Sequence, residues 1–158
     1  MTETKFNILV LGGGGREHAL CWKIAGSPHC ARLFCAPGNG GTAAVAENIH
    51  LDEKDHDAVV AFCRENTIAL VVIGPEAPLV DGLADTLQAH KIAAFGPGAA
   101  AAQLEGSKGF TKDLCAEANI PTAAYGRFTA PEPAHGYLNE QALPLSLIHI
   151  SEPTRLGA

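Results

Sequence analysis

Four short apolar segments, each stopped at once by glycine or proline, constrain the fold of this chain more than any other feature. They cover residues 7–11, 31–35, 68–73 and 92–95. Helical patterns separate these segments, and they cover residues 16–25, 55–66 and 79–89. Strands that alternate with helices in this way predict an α/β fold, an open and mostly parallel sheet with helices on both faces.

The glycine and proline clusters mark a candidate binding edge. The carboxyl ends of parallel strands meet at one edge of such a sheet, and ligands bind in the crevice beyond it. In this chain those ends are residues 12–16, 36–42, 74–78 and 96–98. We therefore expect the functional site on that edge.

Composition excludes several classes of partner. The 158 residues carry a formal net charge of −6, without the basic excess of a nucleic-acid-binding protein. Hydrophobic residues make up 47% of the chain, yet no apolar run approaches the roughly 20 residues of a membrane span. The first residues lack the apolar core of a signal peptide, so the expected compartment is the cytoplasm and the expected partners are small molecules.

The five cysteines are an odd number without a C-x-x-C pair, so neither a disulfide framework nor a redox motif is indicated. Buried thiols are expected at Cys21, Cys30, Cys35, Cys63 and Cys115. His18 shares a predicted helix face with the first cysteine, but zinc would need a fourth ligand and tighter paired spacing. No metal site is predicted from these residues.

Residues 12–15 join a predicted strand to a predicted helix, where free backbone N–H groups and the helix dipole favour an anion. Arg16 adds a charge-assisted donor. As a dinucleotide fingerprint the turn fails, because the third glycine position falls on Glu17 and no ribose-binding acid follows the second strand. Two alternatives stay open: phosphate or sugar-phosphate binding, and a turn needed only for close strand-to-helix packing. A third, an NAD-dependent oxidoreductase domain that binds a dinucleotide here, is disfavoured by Glu17 and by the missing ribose-binding acid.

Two further charged side chains stand at informative positions. Glu76 follows the most apolar strand between Pro75 and Pro78, where its carboxylate could accept hydrogen bonds from a hydroxyl or amine. Lys108 begins a helix after Ser107, a plausible N-cap, and could reach a phosphate near that helix N-terminus. The alternatives are an ordinary solvated loop glutamate and a solvated lysine.

Five segments, taken in order, resemble one enzyme family. They are VLGGGGREHAL, APGNGGTA, VVIGPEAPLVDGLAD, FGPGAAAAQLEGSKGFTKDL and IPTAAYGRF. Over residues 7–144 their order and spacing are similar to the amino-terminal part of the phosphoribosylamine-glycine ligases, also called glycinamide ribonucleotide synthetases. The resemblance implies a Rossmann-like (pre-ATP-grasp) sheet domain, followed by the start of an ATP-grasp region.

The resemblance also implies a function and a set of site residues. Enzymes of this family join glycine to 5-phosphoribosylamine in purine biosynthesis, using ATP and Mg²⁺ or Mn²⁺, through a glycyl phosphate that the ribosylamine attacks. The residues implied for the substrate edge are Gly14, Gly15, Arg16 and Glu17 at the sugar phosphate, Glu76 at the ribose or amine, and Gly38 and Asn39 beside them. Lys108 resembles the first ATP-grasp lysine, which contacts nucleotide phosphate. No residue of the chain is assigned to catalysis itself or to the metal.

The expected domains are residues 1–104, the Rossmann-like substrate-binding domain, and residues 105–144, the beginning of an ATP-grasp region. Residues 145–158, LSLIHISEPTRLGA, depart from the family pattern and resemble a translated sequencing-library adaptor, so this tail is expected to be non-native. Without an ATP-grasp core, the chain by itself is expected not to catalyse the ligation. The alternative function is a non-catalytic Rossmann-like module that binds a nucleotide or sugar phosphate.

Overall fold

The structure, a computed structural model, describes residues 4–141. Its strands are β1 (Phe6–Gly12), β2 (Cys30–Pro37), β3 (Glu47–Asn48), β4 (Ile68–Ile73) and β5 (Ala93–Phe95). They form one sheet in the order β3-β2-β1-β4-β5, and every neighbouring pair is parallel. The predicted α/β fold is therefore confirmed.

Residues 4–141 contain seven α-helices. They are α1 (Gly15–Ala25), α2 (His56–Glu65), α3 (Glu76–Val80), α4 (Leu83–Ala89), α5 (Ala99–Gly106), α6 (Lys108–Glu117) and α7 (Pro131–Glu140). The chain divides into two compact units between Ala102 and Gln103. We refer to them as the first and second units. The predicted tail, residues 145–158, lies outside the described residues.

The apolar residues of β1 alternate between two cores, one on each face of the sheet. Leu9 and Leu11 belong to the core that includes buried side chains of α2 and α4. Ile8 and Val10 belong to the other core, which Cys21 of α1 enters from the opposite face. Because side chains of a strand point alternately to either face, this pattern places helices on both sides, as predicted.

Three sequence-based expectations are corrected by the structure. The helix predicted over residues 79–89 is two helices, because Gly82 lies between them with φ +92°, a left-handed conformation that ends α3. Glu76 is the first residue of α3 rather than a loop residue. Cys30 and Cys115 are partly exposed, whereas the other three cysteines are buried.

The strand β3 and the short 3₁₀ turn Thr42–Ala44 were not predicted. The two residues of β3 are polar and pair with Phe34 and Cys35 of β2, so their strand conformation depends on a neighbour rather than on an apolar run. Both features lie in the connection from β2 to α2. This connection also contributes to the site.

Candidate functional site

The strand order opens a crevice between β1 and β4. After β1 the chain adds β2 and β3 on one side, and then it returns to add β4 and β5 on the other. Connections that leave neighbouring strands in opposite directions open such a crevice beyond the carboxyl ends of those strands. Gly12 ends β1 and Gly74 follows β4, so both glycines lie where the sheet opens.

The glycine turn, residues 12–15, connects β1 to α1. Gly12 has φ +116°, in the left-handed region that L side chains rarely adopt, and Gly14 is the N-cap of α1. A Cβ added at Gly15 would meet nothing within 4 Å, so this part of the turn is open. The first backbone N–H groups of a helix have no partner within it and carry the positive end of its dipole. This turn can therefore accept an anion.

Glu17 lies beneath the glycine turn. Its side chain is only 5% exposed, and its carboxylate accepts hydrogen bonds from the backbone N–H of Gly14 at 2.7 Å and from Nε of Arg16 at 3.1 Å. A Cβ added at Gly12 or Gly74 would lie 2.6 or 2.2 Å from atoms of this side chain. The carboxylate therefore fills the floor of the crevice, whereas the family resemblance places Glu17 against the sugar phosphate.

Arg16 and Glu76 stand on the exposed side of the crevice. The Arg16 side chain is 61% exposed, its Nε donates to the buried carboxylate, and its Nη2 lies 3.8 Å from Oε2 of Glu76. A guanidinium aligned in this way can still present N–H donors to a phosphate. The Glu76 carboxylate can accept hydrogen bonds from a hydroxyl or an amine. One ligand with a phosphate and an amine would suit both side chains.

The second loop, residues 38–42, packs against the glycine turn. The N–H of Gly38 donates to the carbonyl of Gly12 at 3.2 Å. The Nδ2 of Asn39 donates to two carbonyl oxygens of the glycine turn, at 3.0 and 3.2 Å. The structure thus brings Gly38 and Asn39 to the same edge as the glycine turn, in contact with its backbone.

Three polar residues near this edge were not singled out individually from the sequence. Thr42 is fully buried, and its Oγ1 lies 2.7 Å from Oδ1 of Asn48 in β3. Glu53 has a buried Oε2 without a hydrogen-bond partner among the described residues. Burial raises the pKa of the Glu53 carboxyl, and the charges of Asp52 and Glu17 raise it further. The burial of these side chains depends on the folded structure, so no local pattern marks it.

The second unit contains the predicted nucleotide contact. Lys108 is the exposed first residue of α6, and its neighbour Ser107 is the N-cap, whose hydroxyl accepts from the N–H of Phe110 at 3.2 Å. The predicted cap is confirmed. Among residues 4–141 no three His, Cys, Asp or Glu side chains gather as a metal ion requires, so none is assigned to Mg²⁺ or Mn²⁺. In the same range no helix has the length and apolar character of a membrane span.

Similarity to known proteins decides the family. Residues 6–105 match the family described as phosphoribosylglycinamide synthetase, N domain. The chain belongs to this N-domain family. The resemblance seen in the sequence segments is thereby confirmed.

Relatives of the N-domain family are similar over most of the chain. The phosphoribosylamine-glycine ligase of Mesorhizobium japonicum is 60% identical over 139 residues, and that of Agrobacterium fabrum is 62% identical over 138 residues. These matches cover 88% and 87% of this chain. The chain spans 33% of the length of each relative, its amino-terminal part.

Solved structures show the same fold. A phosphoribosylamine-glycine ligase from Thermotoga maritima aligns with a TM-score of 0.63 and 24% identity, over 86% of this chain and 31% of that one. An N5-carboxyaminoimidazole ribonucleotide synthetase from Thermus thermophilus aligns with a TM-score of 0.64 and 23% identity, over 87% of this chain and 37% of that one.

Proposed function

We propose that this chain supplies the 5-phosphoribosylamine site of a phosphoribosylamine-glycine ligase. The whole enzyme would join glycine to 5-phosphoribosylamine with ATP, in the cytoplasm, as a step of purine biosynthesis. Membership of the N-domain family and the names of the relatives support this activity. The partners it requires are small molecules, which agrees with a net charge of −6.

The placement of Arg16 carries this proposal. Its guanidinium stands at the N-terminus of α1, where the helix dipole and free backbone N–H groups already favour an anion. An ion pair to Glu17 on one side and proximity to Glu76 on the other fix its direction. A sugar phosphate would bind here through its phosphate, and the ribose hydroxyls or amine would hydrogen-bond to Glu76.

The other residues of the edge have supporting roles in this assignment. Gly14 and Gly15 carry no side chain, so a phosphate oxygen can approach their backbone. The N–H of Gly15 would donate to it, whereas the N–H of Gly14 already donates to Glu17. Gly38 and Asn39 border the same space. In the second unit, Lys108 would contact a phosphate of ATP at the start of an ATP-grasp region over residues 105–144. Mg²⁺ or Mn²⁺ would accompany that nucleotide, without a ligand assigned to this chain.

Binding of ribose 5-phosphate to the full 158-residue chain tests the proposed site. Isothermal titration calorimetry should detect binding, and Arg16→Gln should weaken it by about 10–100-fold, because a charge-assisted hydrogen bond contributes roughly 1.5–3 kcal/mol. Arg32→Gln is the matched control. Arg32 also pairs with a carboxylate, that of Glu47 at 2.9 Å, but it lies in the amino-terminal half of β2.

Three results would contradict the proposed site. Ribose 5-phosphate fails to bind, or ribose without its phosphate binds equally well, or Arg16→Gln and Arg32→Gln weaken binding alike. Titration with NADH addresses the dinucleotide alternative. Tight binding of NADH would mean that the buried carboxylate of Glu17 does not exclude a pyrophosphate from the turn.

A further inference from the structure

Asn39 holds the second loop and the glycine turn together with its side-chain amide. Its Nδ2 donates to the carbonyl oxygens of Gly13 at 3.0 Å and Gly14 at 3.2 Å. Its Oδ1 accepts from the backbone N–H groups of Gly41 at 2.7 Å and Thr42 at 3.0 Å. The reverse orientation of the amide would bring N–H against N–H and oxygen against oxygen. The contacts therefore fix the direction of this side chain.

An asparagine side chain offers two N–H donors and an oxygen with two acceptor positions. All four are used within the protein at Asn39. A ligand could hydrogen-bond to this amide only if one of the internal bonds broke. Asn39 therefore fits a residue that positions backbone, and it does not fit a residue that binds the ligand directly.

The main chain of Asn39 is held from the side of β3 as well. Its N–H donates to Oγ1 of the buried Thr42 at 2.7 Å, and its carbonyl accepts from Nδ2 of Asn48 at 2.8 Å. The same network thus reaches the ends of β1, β2 and β3. A shift of Asn39 would disturb all three strand ends at the crevice.

We propose that Asn39 is a positioning residue, which sets the distance between the second loop and the glycine turn and so preorganises the anion site. This role rests on the proposed function, because the anion is taken to be the phosphate of the ribosylamine substrate. A preorganised loop loses less conformational freedom when the ligand binds, and affinity rises accordingly. Asn39 acts on the ligand only through the backbone of the glycine turn.

Asn39→Asp tests this role with a change of one functional group. The carboxylate keeps both acceptor bonds to the second loop, but it sets a negative oxygen against the carbonyl oxygens of the glycine turn. The Gly38 N–H, which bridges the two segments through the Gly12 carbonyl, should then exchange with solvent about ten-fold faster or more. The Kd for ribose 5-phosphate should rise about ten-fold. Asn139→Asp, the same change on the exposed face of α7, should alter neither quantity.

Asn39→Ser provides a second variant in case the aspartate variant fails to fold, which circular dichroism would show. The serine hydroxyl oxygen can still accept hydrogen bonds from the N–H groups of the second loop. The serine side chain is too short, however, to donate to the carbonyl oxygens of the glycine turn. Its expected effects have the same direction. Unchanged exchange of Gly38 together with unchanged affinity in the folded variant overturns the positioning role.

Two other outcomes separate this role from neighbouring ideas. In the uncharged variant Asn39→Ser, weaker binding without faster exchange of Gly38 means that Asn39 contacts the ligand itself, and the positioning role is wrong. Failure of the unaltered chain to bind ribose 5-phosphate overturns the proposed function. In that case exchange of Gly38 in Asn39→Asp still decides whether Asn39 couples the two segments.

Discussion

Buried side chains are concentrated in the first unit. Phe34 of the first unit is 1% exposed and packs edge-on against Phe62, with ring centroids 5.3 Å apart. Phe110 and Phe128 of the second unit are 40% and 41% exposed. Within residues 103–141, Gly109 alone is buried. A sheet covered on both faces gives the first unit an interior, and helices alone give the described part of the second unit none.

The second unit contains several contacts between exposed or half-buried polar side chains. The hydroxyl of Tyr125 donates to Asp113 at 2.7 Å, Arg127 pairs with the same carboxylate, and Nζ of Lys112 donates to Thr122 at 2.7 Å. The hydrogen bond to Asp113 raises the pKa of Tyr125. Contacts between exposed charged groups contribute little to stability. We therefore expect the free energy of unfolding to reside mainly in the first unit.

The largest expected difference concerns a matched pair of truncations. Phe34→Ala should lower the free energy of unfolding by about 3–5 kcal/mol, because it empties a fully buried site. Phe110→Ala should lower it less, by about 1–2 kcal/mol, since that residue is already 40% exposed. Urea denaturation followed by circular dichroism measures both. Equal losses would show that the second unit has an interior after all.

The next largest expected difference between the units is the rate of thiol alkylation at pH 8. Burial raises the pKa of Cys63 to about 11, and its side chain is shielded, so it should react only when the first unit opens. Cys115 of α6 is partly exposed. We expect its alkylation, followed residue by residue by mass spectrometry, to be at least about a hundred-fold faster. Similar rates would mean that the sheet opens as readily as α6.

The smallest expected effect concerns Glu53 of the first unit, where burial disfavours the charged form of the carboxyl group. Burial raises the pKa of Glu53, so its protonated form is favoured in the folded state. The contribution of this carboxyl group to the free energy of unfolding is fully present below the ordinary glutamate pKa of about 4.3. It is lost as pH rises through the higher pKa of the folded state. Glu53→Gln should therefore raise Tm by about 2 °C at pH 7 and leave it unchanged near pH 4.

The control for this pH dependence is a glutamate of the second unit. Glu117 is exposed at the end of α6. Glu117→Gln should shift Tm by similar small amounts at both pH values. A gain for Glu53→Gln that persists at pH 4 would show that charge is not its cause.

The sheet, and the edge at which its strand ends meet, were within reach of sequence reasoning. Apolar runs identify strands that are buried on both faces, and parallel pairing then brings their carboxyl ends to one edge. Interactions that depend on three-dimensional approach were out of reach. Glu17 has a charged side chain, which a sequence places at the surface by default, and only the approach of β4 to β1 encloses it. Two of the four hydrogen bonds of the Asn39 side chain likewise cross from the second loop to the separate glycine turn.

The burial of Glu17 against three glycines limits the order in which this turn can change. An added Cβ would lie 2.6 Å from that side chain at Gly12, 2.8 Å at Gly14 and 2.2 Å at Gly74. A library that varies one of these glycines alone will therefore return mostly chains that fail to fold. Shortening Glu17 first opens the crevice floor and makes room for side chains at Gly14 and Gly74, whereas Gly12 stays restricted by its φ of +116°. A redesign of this turn to bind a dinucleotide would therefore have to replace Glu17 first and substitute the glycines afterwards.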